Sequence, residues 1–175
     1  MKYIIITIVL ITIVLIGIFG SKWIRVLTAS NYDQMLEALY SKTVPFIYPD
    51  REDQIKDLRP YVILDTRSSE EFAVSSLANA IWVGYPDMDR KVIDALDKDQ
   101  AILVYCSVGY RSERIGEQLL ELGFTDVRNL YGGIFEWINR GYGVVNAEGQ
   151  WVDRVHGYAP SWGKWVEADI EVVYD

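Results

Sequence analysis

The chain reads AILVYCSVGYRS from Ala101 to Ser112. Residues 101–105 form an apolar run that predicts a buried strand, and residues 113–122 have the pattern of a helix. Cys106, the only cysteine of the 175 residues, falls where the strand ends. At such a junction, backbone N–H groups and the positive end of the helix dipole can stabilise a thiolate. The pattern therefore indicates a nucleophilic sulfur site.

Helical and strand patterns alternate on both sides of this stretch. Predicted helices cover residues 32–40, 52–58, 87–96 and 113–122, with two more beginning at Ser68 and Gly132; predicted strands cover residues 61–65, 80–83, 101–105 and 126–130. The segment around Pro45 and Pro49 is predicted to be a polar connection. Strands that alternate with helices predict an α/β fold with a central parallel sheet and helices on both faces.

The residues after Cys106 are candidates for binding an anion. A curled turn can direct several N–H groups at one point, such as the outer sulfur of a cysteine persulfide. Gly109 permits the positive φ that such a turn needs, and Arg111 adds a fixed positive charge. We therefore predict Cys106 and Arg111 as catalytic residues. The predicted substrate-binding residues are Ser107, Val108, Gly109, Tyr110 and Ser112.

Three motifs occur in one order along the chain. Cys-x-x-Gly-x-Arg-Ser at residues 106–112 resembles the active-site loop of rhodanese-domain sulfurtransferases. Asp-Thr-Arg at residues 65–67, followed by Glu71-Phe72, is similar to a second signature of that family. Gly-Gly at residues 132–133, followed by Trp137, resembles its closing turn and helix. The resemblance covers roughly residues 55–145.

The resemblance implies an activity and roles for individual residues. Family members have an α/β fold and carry sulfane sulfur on the loop cysteine, which here is Cys106. The implied partners are a small sulfane-sulfur donor and a thiol or protein acceptor, with no metal or organic cofactor. Asp65 and Arg67 are expected to support the structure. The chain is thus identified as a single-domain member of the family, and the apolar run in its first 29 residues makes it a membrane-anchored one.

Two departures and two rival functions accompany this interpretation. Ser107 stands where many family members that use thiosulfate have a second arginine, so a dianionic donor should be held less firmly. Residues 75–80 lack a histidine that many members have.

A cysteine-based phosphatase or arsenate reductase is one rival function. Its loop has five residues between cysteine and arginine, whereas four separate Cys106 from Arg111. A non-catalytic binding module is the other rival, although it would be expected to lack the cysteine.

The amino terminus contains a long uncharged run. Residues 3–19 hold no charged side chain and are mostly isoleucine, valine and leucine. Extended to Trp23, the run is long enough as a helix to cross a hydrocarbon core of ~30 Å. We expect residues 1–29 to contain a single transmembrane helix. The alternative is a cleaved signal that leaves an exported soluble protein, but Ile18 and Phe19 are too large for the usual cleavage site.

Charge separates this segment from the rest of the chain. The first 29 residues carry three basic and no acidic side chains, whereas the other 146 carry 14 basic and 25 acidic ones, a net charge of −11. This acidity argues against a nucleic-acid partner. A single cysteine and a single histidine argue against a metal site. Basic residues flank the apolar run on both sides, so the membrane side of the domain is left open.

The predicted rhodanese-like domain covers residues 30–145, and residues 146–175 form an extension. Helix and strand patterns end at Val144. Trp151, Trp162 and Trp165 would be costly to leave in water. We therefore expect the extension to pack on the domain surface, with a partner-binding tail as the alternative.

Overall fold

The structure is a computed structural model that describes residue 17, residues 20–56 and residues 58–174. The chain divides into two compact units, residues 1–40 and residues 41–175. In the first unit, residues 20–28 are helical (α1), and α2 spans Tyr32–Leu39. The Asn31 side chain caps α2 by accepting a hydrogen bond from the Gln34 N–H at 2.9 Å.

The predicted membrane helix over residues 3–23 falls mostly outside the described residues. Within the described part of the chain, no helix combines the length and the apolar character needed to cross a bilayer.

The second unit is built on a five-stranded sheet in which every strand pair is parallel. The strands are β1 Phe46–Ile47, β2 Val62–Asp65, β3 Ile81–Trp82, β4 Ile102–Tyr105 and β5 Val127–Leu130. Their order in the sheet is β1-β5-β4-β2-β3, so β4 is central. The predicted α/β class with a central parallel sheet is confirmed. The prediction of a polar connection between the two prolines was wrong, because β1 lies there and pairs with β5.

Five helices connect and flank the strands: α3 Glu52–Ile55, α4 Ser69–Val74, α5 Arg90–Asp94, α6 Tyr110–Glu121 and α7 Gly133–Asn139. On the face of the sheet covered by α6, Ile115 and Leu119 are fully buried in one apolar cluster with Ile102 and Val104 of β4. This packing fixes the helix directly after the central strand. The helix begins at Tyr110, earlier than predicted.

Residues 144–173 contain regular structure that the sequence pattern did not predict. They form the antiparallel pair β6 Val144–Val145 and β7 Trp151–Val152, the parallel pair β8 Arg154–His156 and β9 Glu171–Val173, and α8 Pro160–Gly163. All but β6 belong to the extension. Strands of two or three residues are too short to show a period of two in the sequence. The extension lies within the second compact unit.

Candidate active site

Cys106 directly follows the central strand β4. Its side chain is 1% exposed, and its Sγ accepts a hydrogen bond from the Gly109 N–H at 3.1 Å. Gly109 has a φ of +88° and is the N-cap of α6. Glycine adopts this left-handed conformation without steric cost. The turn thereby holds the sulfur beside the amino-terminal end of a 12-residue helix, where the helix dipole favours a negative charge.

Arg111 lies in the first turn of α6 and is paired with Glu71 of α4. Its Nη1 donates to Glu71 Oε2, and its Nη2 donates to Glu71 Oε1, both at 2.7 Å. The Ser107 hydroxyl donates to Glu71 Oε1 at 2.6 Å and accepts from Arg111 Nη2 at 3.0 Å. Bidentate arginine–carboxylate pairs are strong and directional, so this network sets the position of the guanidinium.

The network also sets the charges of the site. Burial alone would raise the pKa of Glu71, but the hydrogen bonds and charge of Arg111, with hydrogen bonds from Ser107 and the Ser68 N–H, lower it to about 2. Burial would lower the pKa of Arg111, but its hydrogen bonds to Glu71, with the nearby Cys106, raise it above its ordinary value. Both partners are therefore charged at neutral pH.

Asn129 of β5 holds the turn and is itself hydrogen-bonded to Ser112 of α6. The Ser112 hydroxyl donates to Asn129 Oδ1 at 2.8 Å, and Asn129 Nδ2 donates to the Gly109 carbonyl at 2.9 Å. Ser112 and Asn129 are fully buried. Gly109, whose N–H donates to the Cys106 sulfur, is thus held in place by the hydrogen bond to its carbonyl.

The start of α7 contacts the backbone carbonyl groups of the same turn. The Ile134 N–H donates to the Cys106 carbonyl at 2.9 Å, and the Phe135 N–H donates to the Ser107 carbonyl at 3.2 Å. Gly133 lies so close that a Cβ there would overlap the Cys106 carbonyl oxygen. The close approach requires glycine at this position.

Asp65 and Arg67 form a separate, fully buried ion pair at the end of β2. Arg67 Nη2 donates to Asp65 Oδ2 and to the Ser75 carbonyl, both at 2.6 Å. Burial and the charge of Asp65 raise the pKa of Tyr105, and the Arg67 guanidinium lies 5.5 Å from the ring of that tyrosine. Among the described residues, Arg67 Nη1 has no hydrogen-bond partner. The pair thus links the end of β2 to the segment that follows α4.

The structure brings most of the predicted site residues together around Cys106. Val108 is buried in the turn, whereas the ring of Tyr110 lies against Arg114 at 5.8 Å. Within the described residues, no group of three or more histidine, cysteine and acidic side chains could hold a metal ion.

Glu71, Asn129 and Gly133 are site residues that were not predicted from the sequence. Glu71 and Gly133 belong to the family motifs, and Asn129 lies in the predicted strand over residues 126–130. Their contacts join positions that are distant along the chain, however, and the motifs do not show which side chains meet.

Residues 50–140 match the family described as the rhodanese-like domain. A thiosulfate sulfurtransferase of Coxiella burnetii, GlpE, is 32% identical over 79 residues, which are 45% of this chain and 73% of that protein. A tRNA uridine(34) hydroxylase of Cytophaga hutchinsonii is 34% identical over 101 residues, 55% of this chain. The chain matches only 32% of the hydroxylase's length.

A solved structure of a rhodanese-related protein from Thermoplasma volcanium superposes with a TM-score of 0.51 and 31% sequence identity. The match covers 58% of this chain and 97% of that protein. The match to the family ends at residue 140, so the whole extension lies beyond it.

Proposed function

We propose that this chain, which belongs to the rhodanese-like domain family, transfers sulfane sulfur through a persulfide on Cys106. The observation that carries the proposal is the position of Sγ beside the start of α6. There it accepts the Gly109 N–H at 3.1 Å and lies near an arginine whose charge Glu71 maintains. A helix amino terminus and a nearby cation stabilise a thiolate. They also stabilise a persulfide anion.

The proposed reaction has two displacement steps. The Cys106 thiolate attacks the outer sulfur of thiosulfate, an S–S bond forms, and the S–S bond of the donor breaks, releasing sulfite with the electron pair. The enzyme is left as Cys–S–S⁻. In the second step an acceptor, such as cyanide or a thiolate, attacks the outer sulfur, and the Cys106 thiolate leaves. No external oxidant or reductant is consumed, and no general base is needed because a thiolate is the nucleophile.

The surroundings of Arg111 favour donors of low charge. The positive charge of Arg111 is balanced by ionised Glu71. Ser107 has a neutral hydroxyl at the position where a second positively charged side chain would attract a dianion. The domain itself is strongly acidic and repels anions. We therefore expect a persulfide donor, small or protein-bound, to react better than thiosulfate, and a thiol or protein to be the acceptor.

The apolar run over residues 3–23 supports a second part of the proposal. Residues 3–19 carry no charge, and the length of the run to Trp23 is typical of a single transmembrane helix, which would hold the sulfurtransferase domain at a membrane. The alternative outcome remains a cleaved signal and an exported soluble protein.

Mass spectrometry tests the sulfur-transfer proposal directly. After incubation with thiosulfate, the wild-type protein should gain about 32 Da per transferred sulfur, lost again on addition of cyanide. Cys106→Ser replaces the only thiol with an isosteric hydroxyl and should neither gain sulfur nor produce thiocyanate. Circular dichroism provides the control for folding. Equal thiocyanate production by folded Cys106→Ser would refute the proposal.

A further inference from the structure

The extension ends in a small folded element that packs beside the active site. Its strands β8 and β9 are parallel, with His156 opposite Val173, and the Gly157 N–H donates to the Val173 carbonyl at 2.8 Å. Strand β8 packs beside α4, the helix that supplies Glu71. The turn after β8 is therefore held close to the Glu71–Arg111 pair.

Tyr158 lies in this turn, and its ring contacts Arg111. Its φ is +63°, an uncommon conformation for a non-glycine residue, and its N–H donates to His156 Nδ1 at 3.0 Å. The Ala159 N–H donates to the Gly157 carbonyl at 2.7 Å. These contacts fix the backbone on both sides of Tyr158, so the direction of its side chain is determined by the turn.

The ring of Tyr158 lies over the guanidinium of Arg111. The Arg111 Cζ is 4.9 Å from the ring centroid, within the range of a cation–π contact. Glu71 and Ser107 accept hydrogen bonds from the guanidinium N–H groups, and the face of the Tyr158 ring lies against the same guanidinium. Tyr158 itself is 53% exposed, but the Arg111 side chain is only 16% exposed.

We propose that Tyr158 is a positioning residue that keeps Arg111 in place and shields it from water during sulfur transfer. This inference rests on the proposed function, because Arg111 is assigned to the stabilisation of the sulfur anion. A cation that lies against the face of an aromatic ring is less hydrated, and the surrounding salt screens it less. Its attraction for an anion near Cys106 is correspondingly stronger. The extension, which lies beyond the family match, would thus complete the active site.

The test compares sulfur transfer from thiosulfate to cyanide as ionic strength rises. In Tyr158→Ala the guanidinium becomes hydrated, and we expect kcat/KM to fall about fivefold and to fall further with salt than in the wild type. The substitution leaves the net charge of the protein unchanged. The difference between the two salt dependences therefore reports the local shielding of Arg111 rather than the repulsion of the donor by the whole domain.

Two further variants separate the ring from the bulk of the side chain. Tyr158→Phe keeps the aromatic face and should restore both the rate and the salt dependence of the wild type. Tyr158→Leu keeps an apolar side chain without a π face and should resemble Tyr158→Ala. As a matched control, Trp151→Ala removes another aromatic residue of the extension, 71% exposed, and should behave as the wild type.

The outcomes distinguish this inference from the proposed function. If the wild-type protein accepts no sulfur on Cys106, the sulfurtransferase proposal fails. If it does accept sulfur and folded Tyr158→Ala matches it in rate and salt dependence, only the role of Tyr158 is refuted. Loss of activity in Tyr158→Phe would assign the effect to the hydroxyl and would also overturn the role proposed for the ring.

Discussion

Glu71 determines the electrostatics of the site, although it does not belong to the catalytic loop. Its pKa is lowered from 4.5 to about 2, so the ionised form is stabilised by folding. A carboxyl group whose pKa is lowered in the folded state raises the free energy of unfolding at every pH above its ordinary pKa. That contribution decreases as the pH falls from about 5 toward 2. Acid should therefore weaken the link between α4 and the catalytic loop.

We predict that Glu71→Gln lowers the free energy of unfolding at pH 7 by about 3 kcal/mol. The glutamine cannot form a charged bidentate pair with Arg111, and it does not titrate. The loss should shrink as the pH approaches 2, where wild-type Glu71 becomes protonated. Urea unfolding at pH 7, 5 and 3 measures this difference.

Glu70→Gln is the matched control, because this neighbouring carboxylate is fully exposed. We expect its free energy of unfolding to stay close to the wild-type value at pH 7. Equal losses in the two variants would show that the buried pair has no special contribution.

Gly133 is the second residue on which the shape of the loop depends. Its φ is +59°, and a Cβ would overlap the Cys106 carbonyl oxygen and lie 2.8 Å from the Ser107 carbonyl group. We predict that Gly133→Ala displaces the loop, lowers the melting temperature and slows sulfur uptake by Cys106 at least tenfold. Misplacing a catalytic group by 1 Å slows a reaction on the order of 100-fold, so a smaller displacement of the loop accounts for a tenfold loss.

Gly149→Ala separates backbone strain from steric overlap. Gly149 has a φ of +76°, but a Cβ there would meet nothing within 4 Å. This variant should lose about 1 kcal/mol of stability from the left-handed conformation and keep the wild-type rate of sulfur uptake. A similar rate in the two glycine variants would contradict the proposed role of the close approach.

At the scale of the elements, Asn139 links α7 to the extension. Its Nδ2 donates to the Trp165 carbonyl at 2.9 Å, and its Oδ1 accepts the N–H groups of Glu167 at 2.8 Å and Ala168 at 3.2 Å. One amide side chain thus joins the segment between α8 and β9 to the helix whose start contacts the catalytic turn.

We predict that Asn139→Ala loosens the extension without unfolding the sheet. Hydrogen exchange of the amides in residues 154–173 should become faster, while the amides of β4 and α6 remain protected. Asn139→Asp retains acceptors for two N–H groups but loses the donor to Trp165, so intermediate protection is expected. Unchanged exchange in Asn139→Ala would show that packing alone holds the extension.

The elements also show why some of the structure was predictable and some was not. Strand β4 and helix α6 have long apolar patterns, so the position of Cys106 between them followed from the sequence. Strand β1 has two residues and depends on pairing with β5, which no local pattern reveals. The Glu71–Arg111 contact spans 40 residues, and the contact of Tyr158 with Arg111 requires the fold of the extension. These contacts arise from tertiary structure.

At the scale of the whole molecule, charge is distributed unevenly. Residues 30–175 carry 25 acidic and 14 basic side chains, so this part of the chain should be repelled by an anionic membrane surface. Stable attachment to a membrane would therefore depend on the apolar run near the amino terminus. The proposed anchor and the sulfurtransferase domain can be tested independently.

We predict that the full-length protein stays in the membrane fraction after carbonate washing, whereas a chain beginning at Asn31 is released. A full-length variant with Ile13→Arg and Val14→Arg is the matched control. Each arginine near the centre of the run costs about 3 kcal/mol for insertion, so this variant should be released despite its unchanged length. A mature amino terminus mapped near Ser21 or Lys22 would instead reveal signal cleavage. Sulfur uptake by Cys106 should be equal in the full-length and shortened chains, because every residue proposed for the site lies between Asp65 and Tyr158.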